Sequence, residues 1–495
     1  MKIVIVGGGT AGWLSALIVS AVHNEIHEVT VISSSEYPTI GVGESSTGFL
    51  RGVVNNEVYD YGCNEFDFMK EAHATPKLGI FYKNWHSTGD YFEPLLQWYR
   101  PSHIDSDPLL MSYVAKGIDP SLASMHGQLF HQKLSGFYRN GNYINSYGIH
   151  AYNFDAGLAG QYFKKISINN GVKYLDLTIE DVMLSENGNI DYLLAKNGEK
   201  IYGDFFIDAT GFRRILSNKL GVKYIEDNDF LLDSALVFDS KNNDKIPATT
   251  SAALKWGWSW TIPKTESNGT GYVYSSSLID ENEAHKEITK VYNKDIDVIK
   301  IVKFKSGRLD SFWKNNCIFV GVGSQFFEPL EATSIHGTIA QVNFFAYNYL
   351  KTNIQDTMYK RNIDQYNASM INMVEQFKHL ILLHYITDKQ ESDFWKEMSK
   401  TANNNTFLKG LVEKTKTQLL NLNDYVNNVY AGVSIETYNQ VFTFTKNYTK
   451  EAANREYLQP YNIKFAALAD QNLQREVDRQ WLSIEEIINY VRSRE

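Results

Sequence analysis

Cysteine is almost missing from these 495 residues: Cys63 and Cys317 are the only two, they stand far apart, and no metal-ligand spacing accompanies them. Neither a disulfide framework nor a zinc site is supported, no metal is expected, and the composition fits a reducing, cytoplasmic setting. Proline is scarce, with 10 residues, and there is no low-complexity tract or internal repeat, so neither long linkers nor a solenoid are expected. A basic excess is also lacking. The formal net charge of -9 leaves nothing to neutralise phosphates, and nucleic acid is not an expected partner. The longest apolar run, Ala11 to Val22, falls short of the roughly 20 residues that a membrane span needs. Met1 leads straight into Lys2-Ile3-Val4-Ile5-Val6 without a charged leader or a cleavage site, so no signal peptide and no membrane association are expected.

What is present is 43% hydrophobic residues, enough for a large core in two closely packed parts. Residues 2–6 read as a parallel strand covered on both faces. The run Gly7-Gly8-Gly9-Thr10-Ala11-Gly12 follows, in which Gly7, Gly9 and Gly12 satisfy G-x-G-x-x-G ahead of a helical stretch, with Glu28 to Ile32 as the next strand. Gly7 permits the turn, Gly9 lets the backbone approach a pyrophosphate, and Gly12 allows close helix packing, while the helix N-terminus offers N–H groups to an anion. The acid that normally binds the adenosine ribose is missing at the end of the second strand, which reads Ser33-Ser34-Ser35-Glu36. Ser33 and Glu36 are the candidates there, and a solvated loop charge is the plainer reading of Glu36.

Beyond residue 130 the pattern mixes. A helix is expected from Phe154-Asp155-Ala156 to about Ile168, strands at 172–177 and 178–184, and hairpin turns at Asn187-Gly188 and Asn197-Gly198. Buried strands ending in small residues recur at Asp208-Ala209-Thr210-Gly211 and at Val320-Gly321-Val322-Gly323, and three such ends would meet on one sheet edge. From about 350 onward helical periodicity dominates, as in Met373 to Tyr385 and Ile484 to Val491. The expectation is an α/β fold, with residues 1–350 forming a Rossmann-like core with inserted β segments and residues 351–495 a helical cap.

The chain resembles the flavin-dependent halogenases of the tryptophan-halogenase type over most of its length. The residues that carry the resemblance are GGGTAGW at 7–13, IGVGE at 40–44, Gly307-Arg308 with Trp313 and Asn316, and Phe326 to Ile335, close to the family's FVEPLESTGI. The sharpest are Trp258-Ser259-Trp260-Thr261-Ile262-Pro263, matching W-x-W-x-I-P, and Thr75-Pro76-Lys77-Leu78-Gly79-Ile80, similar to the segment holding the family's catalytic lysine. The resemblance implies an FAD-binding sheet domain of the GR2 type. It places the cofactor on Gly7, Gly9, Thr10, Ala11, Gly12, Ser33, Gly41, Val42, Gly43, Glu44, Val182, Asp208, Gly211, Val322 and Ile335, the halide on Thr333 and Ser334, and catalysis on Lys77 and Glu331.

The implied reaction uses reduced FAD, dioxygen and a halide ion to make hypohalous acid, which travels to a separate aromatic substrate. Lys77 would hold the oxidised halogen, as a haloamine or by hydrogen bonding, a task for which a compact amine suits better than a forked guanidinium. Glu331 would orient the electrophile or take the ring proton. Taken alone, Lys77 reads as a surface charge, Glu331 as an acid near a helix start, and Trp258 and Trp260 as core aromatics on one strand face. No segment resembles a nicotinamide site, so a separate flavin reductase is the expected partner, and a homo-oligomer is left open.

Where the family has glycine, this chain has Ser334. If that position requires positive φ, serine costs on the order of 1 kcal/mol and reshapes the halide pocket, which points to bromide or iodide over chloride. Glu375-Gln376-Phe377, His384-Tyr385 and Phe394-Trp395 read as packing, and no clamp for free tryptophan is visible between Phe442 and Tyr457. A small indole or phenol is the expected substrate. The competing readings are a flavin monooxygenase that hydroxylates a small molecule and a non-catalytic FAD-binding protein.

Overall fold

The computed structural model describes residues 1–22, 27–37, 43–87, 89–95, 107–241, 245–420, 424, 433–445 and 447–494. The chain divides into two compact units, each assembled from three stretches: Met1–His73, Phe154–Asn228 and Phe304–Glu375 in the first, Ala74–Asn153, Asp229–Lys303 and Gln376–Glu495 in the second. None of these boundaries falls at 350, and the last passage between units lies within the helix Lys360–Leu383.

In the first unit the strand Lys2–Val6 lies between Glu28–Ser33 and Phe205–Asp208. Lys173–Asp176 flanks the former, and Cys317–Phe319 followed by Trp313–Lys314 flanks the latter; every pair is parallel except the last. Ile3, Val4, Ile5 and Val6 are all buried, as a strand covered on both faces requires. The helix Thr10–Val22 carries the chain from the first strand to the second and packs on the helices Ala156–Asn169 and Thr333–Asn348. Residues 12–19 of that helix are all buried, which is why its sequence shows little amphipathic contrast. Ala156–Asn169 starts where expected because the Asp155 carboxylate accepts the Leu158 N–H at 3.1 Å, an N-cap. The two Asn-Gly turns join Ile179–Leu184, Ile190–Ala195 and Lys200–Tyr202 into an antiparallel sheet. Gly188 and Gly198 adopt φ of +82° and +84° there.

The second unit is built on a seven-stranded sheet in the order Lys300–Lys303, Ser234–Lys241, Ser267–Tyr274, Gly257–Pro263, Ala248–Leu254, Gly79–Lys83, Tyr91–Pro94. It is antiparallel apart from the Ala248–Leu254 and Gly79–Lys83 pair. The helical character expected near the C-terminus is seen in Asp393–Asn404, Thr406–Thr415, Ile435–Phe444, Lys450–Tyr457, Pro460–Val477 and Ile484–Ser493. The last of these opens on a capping box of Ser483 and Glu486. Phe377, Tyr385, Phe394 and Trp395 are buried packing residues. Among the described residues no helix is long and apolar enough to cross a membrane.

Candidate functional site

The carboxyl ends of Lys2–Val6, Phe205–Asp208 and Cys317–Phe319 finish side by side in the first unit, on the edge where open α/β sheets hold ligands. A Cβ on Gly7, whose φ is +122°, would sit 2.2 Å from the Ala209 carbonyl oxygen, and one on Gly12 would sit 1.9 Å from that of Gly7. Gly8, which the G-x-G-x-x-G pattern leaves free, is equally constrained: a Cβ there would lie 2.4 Å from the Ser33 side chain. The Gly9 carbonyl accepts the Trp13 N–H at 3.1 Å, so the N–H groups of Thr10, Ala11 and Gly12 open the helix without intrahelical partners. The Thr10 hydroxyl donates to the Ala156 carbonyl at 3.4 Å.

Asp208 is buried with its carboxylate fully used. Oδ1 accepts from the Thr210 N–H (3.0 Å) and hydroxyl (2.6 Å), and Oδ2 from the N–H groups of Leu216 (3.1 Å) and Ser217 (2.9 Å). It shapes the turn carrying Gly211, which lies beside Val322. Val182 is a core residue with Val4, Val6 and Ile32, and its N–H donates to the Asp181 carboxylate at 2.8 Å. Ser33 Oγ lies 3.4 Å from the Tyr174 hydroxyl, and Glu36 is paired with Lys196 at 3.1 Å.

Gly43 and Glu44 form part of a short strand, Gly43–Ser45, while Gly41 and Val42 lie outside the described residues. Glu44 Oε2 and Thr47 Oγ1 are sealed from solvent with no hydrogen-bond partner among the described residues. Burial, and secondarily the Asp155 carboxylate, pushes the Glu44 carboxyl up to about 7. A glycine turn packed too tightly for any side chain, opening on unpaired helix N–H groups, fits the diphosphate of a dinucleotide cofactor, and the two sealed polar atoms of Glu44 and Thr47 are left for a partner that the described residues do not supply.

Glu331 precedes Ala332, and Thr333 and Ser334 form the first turn of the helix Thr333–Asn348 with Ile335 buried behind them. Ser334 has no positive φ. The left-handed residue is Ala332, at φ 52° and ψ 30°, and this helix has no side-chain cap. Backbone strain at Ser334, on which the halide expectation leaned, is therefore not required; it sits two residues earlier, at a cost of about 1 kcal/mol. Gln325, itself buried, donates its amide to the Thr333 carbonyl at 3.4 Å. His336 stacks on Phe49 at 4.0 Å between ring centres, and burial pushes its pKa down to about 4, so it is neutral near pH 7. The positive field at this turn comes from the helix terminus.

In the second unit Lys77 is buried at 2% exposure within Thr75–Lys77, paired antiparallel with Ala151. The Leu78 N–H donates to the Pro247 carbonyl at 2.7 Å and the Leu78 carbonyl accepts from Leu95 at 2.8 Å, which pins the segment on both sides. The Thr75 hydroxyl donates to the Pro263 carbonyl oxygen at 2.6 Å, joining the lysine segment to the end of W-x-W-x-I-P. Ile262 and Pro263 are buried with Trp258 and Trp260, whose ring centres lie 6.2 Å apart. The two thiols are protonated by burial: Cys63 is pushed up to about 12 and Cys317 well above the ordinary range.

The contacts made by three residues, Gly8 and Thr75 within quoted motifs and Gln325 outside them, were not foreseen from the sequence. Gly8 had a signal, since an uninterrupted triplet exceeds what the motif demands; nothing in the sequence named the partners of Gln325 and Thr75, because tertiary packing sets them.

The sequence model of a family described as tryptophan halogenase matches residues 2–457. The 7-chloro-L-tryptophan 6-halogenase KtzR of Kutzneria sp. (strain 744) is 28% identical over 453 residues, covering 84% of this chain and 85% of the relative. Tryptophan 7-halogenase RebH of Lentzea aerocolonigenes is 28% identical over 424 residues, covering 80% of this chain and 78% of its own. Among solved structures, tryptophan 6-halogenase SttH of Streptomyces toxytricini superposes with a TM-score of 0.87 at 25% identity, covering 99% of each chain. BrvH, a flavin-dependent halogenase from Brevundimonas sp. BAL3, shares the fold at a TM-score of 0.84 and 22% identity, again over 99% of each chain.

Proposed function

Because the chain belongs to the tryptophan halogenase family of flavin-dependent oxidoreductases, we propose that it halogenates a small electron-rich arene of indole or phenol type, with Lys77 handling the oxidised halogen. The observation that carries this reading is the Thr75–Pro263 hydrogen bond, which fixes the lysine segment to the tryptophan signature; hydroxylation needs neither motif.

Bound reduced FAD, with dioxygen, supplies the oxidising equivalent that converts halide to hypohalous acid. The turn Gly7 to Gly12 and the N-terminus of Thr10–Val22 would hold the diphosphate, and the sealed polar atoms of Glu44 and Thr47 would serve polar groups elsewhere on the cofactor. The N–H groups of Thr333 and Ser334, at the uncapped start of a 16-residue helix, hold the halide. Lys77, shielded from water, keeps the oxidised halogen from being quenched. As the arene takes the halogen, hydroxide leaves from the hypohalous acid, and the ring proton passes by way of the Glu331 carboxylate to that hydroxide, giving water. Ser334 adds a side chain where the family has glycine, and we assign to it a preference for the more weakly hydrated, more easily oxidised bromide or iodide. A separate reductase supplies reduced flavin by diffusion.

The test is mass spectrometry of products from the purified protein with FAD, a flavin reductase, NADH, air, bromide or iodide, and a panel of indoles and phenols, beside Lys77→Ala. Halogenated product that disappears in the variant is expected. Hydroxylated product would transfer the reading to a monooxygenase.

A further inference from the structure

A cation–π contact bridges the sheet edge on which the three strand ends finish, between two residues that no motif singles out. We propose that Arg213 and Tyr37 form a clamp on the diphosphate half of FAD, an inference that rests on the flavin reading above. Tyr37 follows the end of Glu28–Ser33 by four residues, and Arg213 follows the end of Phe205–Asp208 by five. Those two strands lie on opposite sides of Lys2–Val6, roughly 10 Å apart at ordinary strand spacing. Yet the Arg213 guanidinium lies 4.1 Å from the centre of the Tyr37 ring. The pair meets by reaching across the end of the central strand, the end from which the glycine turn departs.

Neighbouring cations are committed elsewhere. Arg214 donates from Nε to the Gly323 carbonyl at 2.8 Å and covers the Tyr224 ring at 3.6 Å. Lys164 sits on the Tyr174 ring at 3.5 Å, and Lys196 neutralises Glu36, the carboxylate next to Tyr37. Arg213 is exposed, and among the described residues its guanidinium meets no carboxylate. A diphosphate lying on the glycine turn brings two negative charges beneath this bridge. A guanidinium suits it because its planar fork of N–H donors matches phosphate oxygens. Stacked on a ring, it also keeps its N–H edges free for them. Recognition from this edge then rests on phosphate charge, and the missing ribose acid at Ser33 to Glu36 is less of a loss.

The experiment is titration of the full-length apo protein with FAD and with riboflavin, which lacks phosphate, at low and high salt, for the wild type, Arg213→Gln, Arg213→Lys and Tyr37→Leu. Arg213→Gln is expected to weaken FAD roughly tenfold or more, the loss of a charge-assisted contact, while riboflavin affinity and melting temperature stay unchanged. Arg213→Lys retains part of the affinity, and Tyr37→Leu loses part of it. Added salt weakens FAD binding to the wild type more than to Arg213→Gln. Unchanged FAD affinity in Arg213→Gln, or equal loss for both ligands, overturns the clamp. Failure of the wild type to bind FAD at all overturns the flavin reading itself.

Discussion

The Thr75 hydroxyl lies 2.6 Å from the Pro263 carbonyl oxygen and donates to it, across 188 positions of sequence. Thr75→Val keeps the shape and strands that carbonyl, at a cost of about 1–3 kcal/mol. The expected result is a modestly lower melting temperature and a disproportionate fall in halogenation rate, roughly tenfold, with FAD affinity intact. Equal activity in the two proteins would show that Lys77 is positioned without this bond.

Ala332 holds a left-handed conformation at φ 52° just ahead of Thr333. Ala332→Gly removes the steric cost, and denaturant unfolding should show a gain of about 0.5–1 kcal/mol. A loss of stability would mean that the backbone there is held for other reasons.

Ser334 lies in a helical first turn, so Ser334→Gly should cost only about 1 kcal/mol, the ordinary price of glycine in a helix. Its effect should appear in halide choice. Competition at equal concentrations is expected to move turnover toward chloride in the variant, and an unchanged ratio would remove the side chain from halide selection.

Glu44 binds its proton more tightly folded than unfolded, because burial and Asp155 disfavour the ionised form. Below about pH 4.5 both states are protonated and the group costs nothing; stability is then lost as pH rises toward 7 and levels off above. Glu44→Gln carries no such penalty. Melting of the apo proteins compared from pH 4.5 to 8 should show an advantage for the variant that grows to on the order of 1–3 kcal/mol. A difference independent of pH would mean that Glu44 is ionised throughout.

Features governed by neighbouring residues were readable in the sequence. The strand at 2–6, the glycine turn, the two Asn-Gly hairpins and the Asp155-capped helix depend on local propensity, and they appear where expected. Trp258 and Trp260 also fall on a buried strand, as their period of two implies. Contacts governed by packing were not readable. Nothing near Thr75 names Pro263, nothing near Tyr37 names Arg213, and nothing in Glu331-Ala332-Thr333 tells which residue turns left-handed. The chain also crosses between units inside a continuous helix, Lys360–Leu383, where neither composition nor periodicity changes.

The central strand of the first unit has consequences for synthesis. Lys2–Val6 pairs with Phe205–Asp208, and that strand in turn with Cys317–Phe319. On a ribosome adding about 5–20 residues per second, an apolar strand emerges on the order of tens of seconds before its inner neighbour and longer before the outer one. Through that interval Ile3 to Val6 has no way to complete its native sheet and offers a β-prone edge to other nascent chains. Yield from cells should therefore respond to translation speed and chaperone supply more than the finished protein's stability would suggest.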